Sequence, residues 1–450
     1  MPSASDAKST RVVKELFGTQ VQEQGKGFYV SLEFFAIIRG VIRLAPTDLL
    51  SPSVDVITYE RISHDFARRV ATHTVIDNEQ LARAVQGTTT LETLDALLSS
   101  LVVEIPGRRK EPEWFAAHFY PFVGELVHYD AVRRGGHRQP SIERYLFRDG
   151  GGWAYHVLRK DPDVERRTQS TELLRVLMDD SGSALGRVVK ALHTHDLAQA
   201  ARFNDISEAE TDDRDEASPW PDFLRRGVNR IAARTKSPRA KRIEQLMNWI
   251  PYCLARHELA LARLELRLDR EIITVDATRD TANQLRVHSQ NILNQYSWQI
   301  AEALTVRALA LMEAETATEG REQWRRLTEP NASFTKSPKG FFLGTLGAVG
   351  ALNAVAGRRH FVFKPPILEA LVCATLQPEQ EMEYNAFLNR LYGDYSIVIS
   401  DRTAARTGLT MDIDAAVFSA NSLAFKERLE AAGLLTHYSD ASRLVHGETR

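Results

Sequence analysis

The sequence predicts a mainly α, multidomain protein: a helical body containing a long helical hairpin, followed by a smaller α+β unit at the C-terminal end. Three observations predict it. Between 239 and 304, apolar residues recur at helical spacing along two successive stretches. An acidic run at 204–222 and a Pro365-Pro366 pair interrupt the pattern where unit boundaries would fall. After Gly433 the period changes from that of a helix to that of a strand.

At 450 residues, the chain is long enough for about two to four domains. Apolar residues make up 43% and charged residues 26%, a balance that supports a sizeable core and excludes general disorder. Lys plus Arg number 57 against 59 Asp plus Glu, so any attraction to nucleic acid must come from a local patch. The two cysteines, Cys253 and Cys373, lie far apart in apolar contexts and read as buried thiols in a reducing compartment. No apolar leader follows Met1, so the expected location is the cytoplasm, with no membrane partner.

The expected N-terminal unit, 1–203, is mixed and mostly helical. "GFYVSLEFFAIIRGVIRL" at 27–44 is a continuous apolar run, which fits a strand or a buried helix equally. Residues 54–100 read as helical, and a helix is expected at 113–131 before the turn "RRGGHRQP". "SIERYLFRDGGGWAYHVLRK" at 141–160 sets a Gly triplet between aromatic arms, as a hairpin or helix–loop–strand would. The triplet has no Gly-Lys-Ser/Thr ending and is not a phosphate loop. Two helices over 163–203 complete the unit.

The run 204–222 carries Asp205, Glu208, Glu210, Asp212, Asp213, Asp215 and Glu216 and reads as a solvated linker. A second unit, 223–360, opens on a basic stretch with no acid between Asp222 and Glu244. Arg225, Arg226, Arg230, Arg234, Lys236, Arg239, Lys241 and Arg242 are the candidate phosphate contacts. Arg226, Arg230 and Arg234 stand four apart on one helical face. The alternative is a surface helix whose arginines pair with the neighbouring acids. Ser237-Pro238 opens the next helix as cap and first position. Ile250, Leu254, His257, Leu261, Leu264 and Leu268, then Leu285, Ile292, Tyr296, Ile300 and Leu304, mark two long helices joined near 270–278, with Pro251 bending the first. "FFLGTLGAVGALNAVAG" (341–357) is too short to span a bilayer and reads as a buried packing helix, with Gly344, Gly347 and Gly350 admitting a close neighbour.

In the last unit, 361–450, helices are expected near 366–376 and 383–392. A third follows with Phe418, Phe425, Leu429 and Ala432 on one arc, then a hairpin from "LLTHYSD" and "SRLV". That order resembles a winged-helix domain, covering a fifth of the chain. The stretch "ILEALVCATLQPEQEMEYNAFLNRLYGDYSIVIS" with this wing also resembles the C-terminal part of helical accessory proteins of bacterial anti-phage defence islands. The resemblance implies a part in handling or sensing DNA beside other protein subunits, with double-stranded DNA as a further partner. The outward positions of the third helix and wing, Ser419, Asn421, Ser422, Leu423, Lys426 and Arg443, are the candidate contact face. Eight basic and twelve acidic residues over 361–450 repel phosphate, and Glu427 and Glu430 would read a groove poorly, so a protein contact is favoured over sequence-specific reading.

Catalytic chemistry has no clear carrier, and neither cofactor nor metal is expected. His193 and His195 are two apart and point to different helical faces, where a two-His metal site needs four. "SHD" at 63–65 lacks a nucleophile motif. No Glu-x-Lys exists, which counts against the common restriction-nuclease core. The expected function is therefore a non-enzymatic subunit. The alternatives are a divergent metal-dependent nuclease using Glu143, Asp149 and Asp161, and a transcription regulator.

Overall fold

The computed structural model describes residues 4–19, 21, 27–44, 49–52, 57–59, 103–104, 114–117, 129–132, 141–143, 150–179, 201–203, 217–278, 284–329, 333–353, 358–437 and 443–447. These residues are mainly helical, and their strands are short.

Helices α1 (Ala4–Phe17) and α2 (Gly27–Leu44) begin the chain. The apolar run of open type is thus a helix. Every residue from Val30 to Ile38 is buried, so no polar face exists to impose a period on the sequence. Strand β1 (Ile57–Tyr59) follows, then β2 (Val103–Glu104), β3 (Trp114–Ala117), β4 (Tyr129–Val132) and β5 (Ser141–Glu143), the last four forming an antiparallel meander in that order. The helix expected at 113–131 is corrected by β3 and β4, whose Trp114, Phe115, Tyr129 and Val132 are strand-favouring types. The expectation for 54–100 lies, apart from β1, outside the described residues.

Helix α3 (Gly150–Arg159) begins at the Gly triplet, so the glycines belong to a helix rather than a turn. A Cβ on Gly151 would stand 2.3 Å from the Phe34 backbone nitrogen, which shows how closely α3 crosses α2. Helix α4 (Val164–Leu177) is capped by Asp163, and β6 (Ala201–Phe203) pairs antiparallel with β1. The second helix expected before 203 falls mostly outside the described residues, as do acidic residues 204–216. Trp220, assigned to the linker at sequence level, is instead fully buried and opens helix α5 (Trp220–Ala232).

Helix α6 (Arg239–Glu265) starts after Pro238 with no side-chain cap bond, so Ser237 does not cap it; Pro251 lies inside it. In the connection to α7 (Gln284–Ala314), residues 267–270 are exposed and the next seven turn into the interior. Its Glu271, Ile273, Thr274, Val275, Asp276 and Ala277 are buried, and β7 (Ile273–Thr274) pairs in parallel with β9 (Ile397–Val398). The end of α6 meets the middle of α7, where Arg263 Nη1 donates to Gln299 Oε1 at 2.7 Å, so the first half of α7 runs on past it. Helices α8 (Thr318–Leu327) and α9 (Lys336–Ala348) follow; α9 buries Phe341, Phe342 and Leu346. A Cβ on Gly347 would meet nothing within 4 Å, so close helix approach is not its role. No helix among the described residues is long and apolar enough to cross a membrane.

The C-terminal part runs α10 (Pro365–Thr375), β8 (Glu381–Glu383), α11 (Tyr384–Tyr395), β9, α12 (Asp401–Arg406), α13 (Ala415–Ala431), β10 (Leu435–His437) and β11 (Arg443–His446). The strands form a sheet in the order β10-β11-β8, with Leu435 opposite Val445 and Leu444 opposite Glu383. One hydrophobic cluster extends from Val12 to Val445, and a satellite of Leu285, Val398, Ala404, Ile413 and Phe418 ties the start of α7 to the C-terminal elements. Inside the main cluster lies a polar knot. Arg256, fully buried, donates to Tyr252 Oη at 2.8 Å, Glu271 Oε1 at 2.9 Å and the Tyr395 carbonyl at 3.0 Å, and its guanidinium stands 4.4 Å from the Trp220 ring. A buried charge must be paired to be tolerated, so these bonds fix where α5, α6, the 271 segment and α11 meet.

Candidate functional site

The basic stretch folds inward. Its arginines serve as clamps on helix C-termini, where the last carbonyls lack intrahelical donors and carry partial negative charge. Arg225 Nε donates to the Val157 carbonyl in α3 at 2.8 Å, and Arg239 Nε to Leu177 at the end of α4 at 2.5 Å. Arg242 Nη1 donates to Ala232 at the end of α5 at 2.8 Å. Arg230 Nη1 reaches the Ala374 and Thr375 carbonyls at 2.9 and 2.8 Å, and Arg234 Nη2 reaches Leu376 at 2.8 Å, so both close α10. Arg234 is 1% exposed and lies beyond the end of α5, so it does not continue a face with Arg226 and Arg230. Arg226 lies 2.9 Å from Asp222, Lys236 is 2.6 Å from Glu379, and Lys241 pairs with Glu369 and Glu244. Among the described residues the pairing with acids is therefore partial, and most of these cations meet neutral carbonyls; acidic residues 204–216 lie outside the described residues. Spacing at four residues could have suggested a surface face; nothing in the local sequence names the distant helix ends.

On α13, Leu423 is 53% exposed and Ser419 and Glu427 are exposed beside it. Lys426 lies 3.9 Å from Glu430, whose carboxylate is also 2.5 Å from His437 Nε2 on β10. Ser422 and Arg443 are half-buried; the Ser422 carbonyl accepts from Tyr384 Oη at 2.6 Å. Asn421 corrects the expected face, because it is fully buried. Its amide donates to the Val275 and Ile399 carbonyls at 2.9 Å each and its oxygen accepts from Ala277 N at 2.7 Å, stitching α13 to the interior segment.

Sequence reasoning missed a cleft of about 490 Å³ where the start of α7, the antiparallel arms 350–353 and 360–364 of a hairpin, the start of α10 and the end of α13 meet. Arg286, Lys364, Arg428 and His360 line it together with Val362, Pro365 and Leu368. The hairpin is held by Lys364 N to the Gly350 carbonyl at 2.8 Å and by Val362 N to Ala351 at 3.0 Å. Gly350 takes φ +83°, and its place suits glycine because a Cβ there would press on Lys364 Cβ at 3.1 Å. Phe363, fully buried with its ring edge-on to Tyr252 at 6.1 Å, holds a left-handed φ of +48°, unusual for a bulky residue.

Behind the cleft, Asp276 is fully buried and accepts from Thr278 N, Thr278 Oγ1 and Arg286 Nε at 2.9, 2.6 and 2.7 Å. His360 Nδ1 lies 3.1 Å from the Arg358 carbonyl, which assigns the proton of the neutral ring to Nδ1 and turns Nε2 toward Asp276 at 3.6 Å. Burial lowers the His360 pKa from its usual value, against the Arg358 carbonyl and Asp276, which raise it; Arg286 and Arg428 lower it further. Arg428 donates to the Val362 carbonyl. The Lys364 side chain is exposed.

Of the acids weighed for nuclease chemistry, Asp161 is buried and accepts from Arg166 at 2.6 Å. Asp149, the His193 and His195 pair and the 63–65 triplet lie outside the described residues, as do the Glu143 contacts. Among the described residues no group of three His, Cys, Asp or Glu side chains is placed to hold a metal. Cys253 and Cys373 are buried and unbridged. No known protein family, curated protein or solved structure matches this chain. What fold and site define is a mainly helical protein whose basic stretch is engaged mostly with helix-end carbonyls and whose cationic cleft is assembled from distant segments.

Proposed function

We propose that this chain is a non-enzymatic helical subunit of a DNA-linked, anti-phage defence complex, and that a C-terminal winged-helix unit docks another protein subunit of that complex. The order α10, β8, α11, α13, β10, β11, with β11 between β10 and β8, supports the winged-helix reading; α12 is an addition to that pattern. The observation that carries the docking reading is Leu423, 53% exposed on the third helix of the unit with Glu427 beside it. An apolar side chain flanked by acid suits a protein anchor and repels a phosphate backbone. Five of the eight cations of the basic stretch are engaged with carbonyls of the fold, which favours the wing over that stretch as the docking element.

The test uses the full chain, since α10 shares the main core and cannot be cut away cleanly. Leu423→Asp should leave the thermal midpoint unchanged while abolishing co-purification with the protein encoded beside it. Retained partner association together with lost binding to one DNA sequence would make the unit a DNA reader and overturn the proposal.

A further inference from the structure

Helix α7 is apolar on two sides. Leu293, Tyr296, Ile300 and Leu304 are buried, yet Val287, Trp298 and Leu309 are exposed, Trp298 to 62%. Eleven residues carry an α-helix through three turns and about 20° more, so these three, each eleven from the next, line up on one crest about 33 Å long. The crest is also poor in charge. Of the ten exposed residues between Gln284 and Ala310, Glu302 alone is charged. Two arginines of this stretch are turned to acids of the fold, Arg286 to Asp276 and Arg307 to Glu265. Helix α8 shows the solvated alternative, with charge on five of its six exposed residues. Depletion of charge around an exposed Trp is the composition of an interface centre rather than of a face kept in water.

The spacing also names the occupant. Val287 and Leu309 are equidistant from Trp298, so the crest reads alike from either end. A two-fold axis at Trp298 sets a second α7 antiparallel to the first, with Trp298 on the partner's Trp298, Val287 on the partner's Leu309 and Asn294 on the partner's Glu302. No acid is set opposite an acid, and the Asn294 amide can donate to the carboxylate it meets. A different protein would place no such demand of symmetry on the crest. We propose that this crest is a self-association face, pairing antiparallel with α7 of a second copy of the chain. Lys339 Nζ lies over the Trp298 ring at 4.1 Å from its centroid, which holds the indole in place before the second copy arrives. A strip about 33 Å long and one helix, about 10 Å, wide covers on the order of 330 Å² per copy. That is well under the roughly 800 Å² per partner of a stable complex, so the dimer is weak and forms at high concentration.

Sedimentation velocity of the full chain over a concentration series tests this. The parent should pass from monomer to dimer with a midpoint on the order of 10–1,000 μM. Trp298→Glu and Leu309→Glu, both at exposed side chains, should each weaken the dimer at least tenfold while circular dichroism remains that of the parent. Asn294→Lys puts a cation opposite the partner's Glu302 twice in each dimer and should tighten it severalfold at low salt, an effect that depends on the antiparallel register. A chain still monomeric at about 1 mM, a midpoint unmoved by Trp298→Glu, or one not tightened by Asn294→Lys would each overturn the assignment. So would growth beyond two copies, because a two-fold pair is closed.

Discussion

Glu271→Gln removes one charge from the polar knot while keeping an oxygen where Oε1 accepts from Arg256 at 2.9 Å and Trp220 Nε1 at 3.3 Å. Both residues of the pair are at most 1% exposed, so water cannot screen the Arg256 charge once its partner is neutral. Breaking a buried pair in this way costs about 3–5 kcal/mol. Glu271→Ala also strands the indole N–H, an additional loss of about 1–3 kcal/mol. Replacing both charges, Arg256→Met with Glu271→Leu, removes the uncompensated charge and should cost less than Glu271→Ala alone, though the Tyr252 hydroxyl and Tyr395 carbonyl lose a donor. Urea unfolding followed by tryptophan fluorescence reads the effect directly, because Trp220 stands 4.4 Å from the guanidinium. A loss below about 1 kcal/mol for Glu271→Gln, or a double variant as unstable as the sum of the singles, would refute the view that this pair is held as compensated buried charge.

Two further outcomes follow from the interior. Burial lowers the His257 pKa to about 3, from an unfolded value near 6.5. The unfolded chain therefore takes up a proton that the folded chain refuses, and stability falls as pH drops from about 6.5 toward 3. Comparing the parent with His257→Gln isolates this effect from neighbouring Glu258, whose buried carboxyl is pushed well up and acts in the opposite sense. The difference in unfolding free energy should change by about 1.4 kcal/mol per pH unit over that window, and a pH-independent difference would contradict it. Asn421→Ala leaves the Val275 and Ile399 carbonyls and the Ala277 N–H without their partner, which should cost about 2–4 kcal/mol and raise hydrogen exchange at Ala277; wild-type exchange there would show that the stitch is dispensable.

The helical class of this protein was legible in its sequence because amphipathic spacing is a local property. Ile250, Leu254, His257 and Leu261 of α6 and Leu285, Tyr296, Ile300 and Leu304 of α7 are buried at the periods their positions predict, whereas Leu264 and Leu268, toward and past the end of α6, are exposed. Phe418, Phe425 and Leu429 likewise give α13 its inner arc. The period failed where burial is complete. In α2, a residue pointing in any direction meets protein, so strand and helix demand the same apolar run. At 114–117 and 129–131 the apolar positions fit a helix, but the aromatic and β-branched types there favour the strands β3 and β4.

Charge was the least legible property, since an arginine's partner is chosen across sequence separations that no window contains. Arg230 and Arg234 look like a phosphate face among their neighbours, yet their partners are carbonyls more than 130 residues away. Asn421 looked like an outward contact and is the buried joint to a segment 144 residues earlier. Lys364 and Arg428 carried no motif, and only the meeting of α7, the hairpin arms 350–353 and 360–364, α10 and α13 makes their charges converge. The sequence by itself determined the mainly helical class and the apolar inner arc of helices such as α13, because backbone hydrogen bonds and hydrophobic periodicity act over a few residues. Tertiary structure alone decided which cations close helix ends and which are left facing a cleft, because electrostatic partners depend on distance in space.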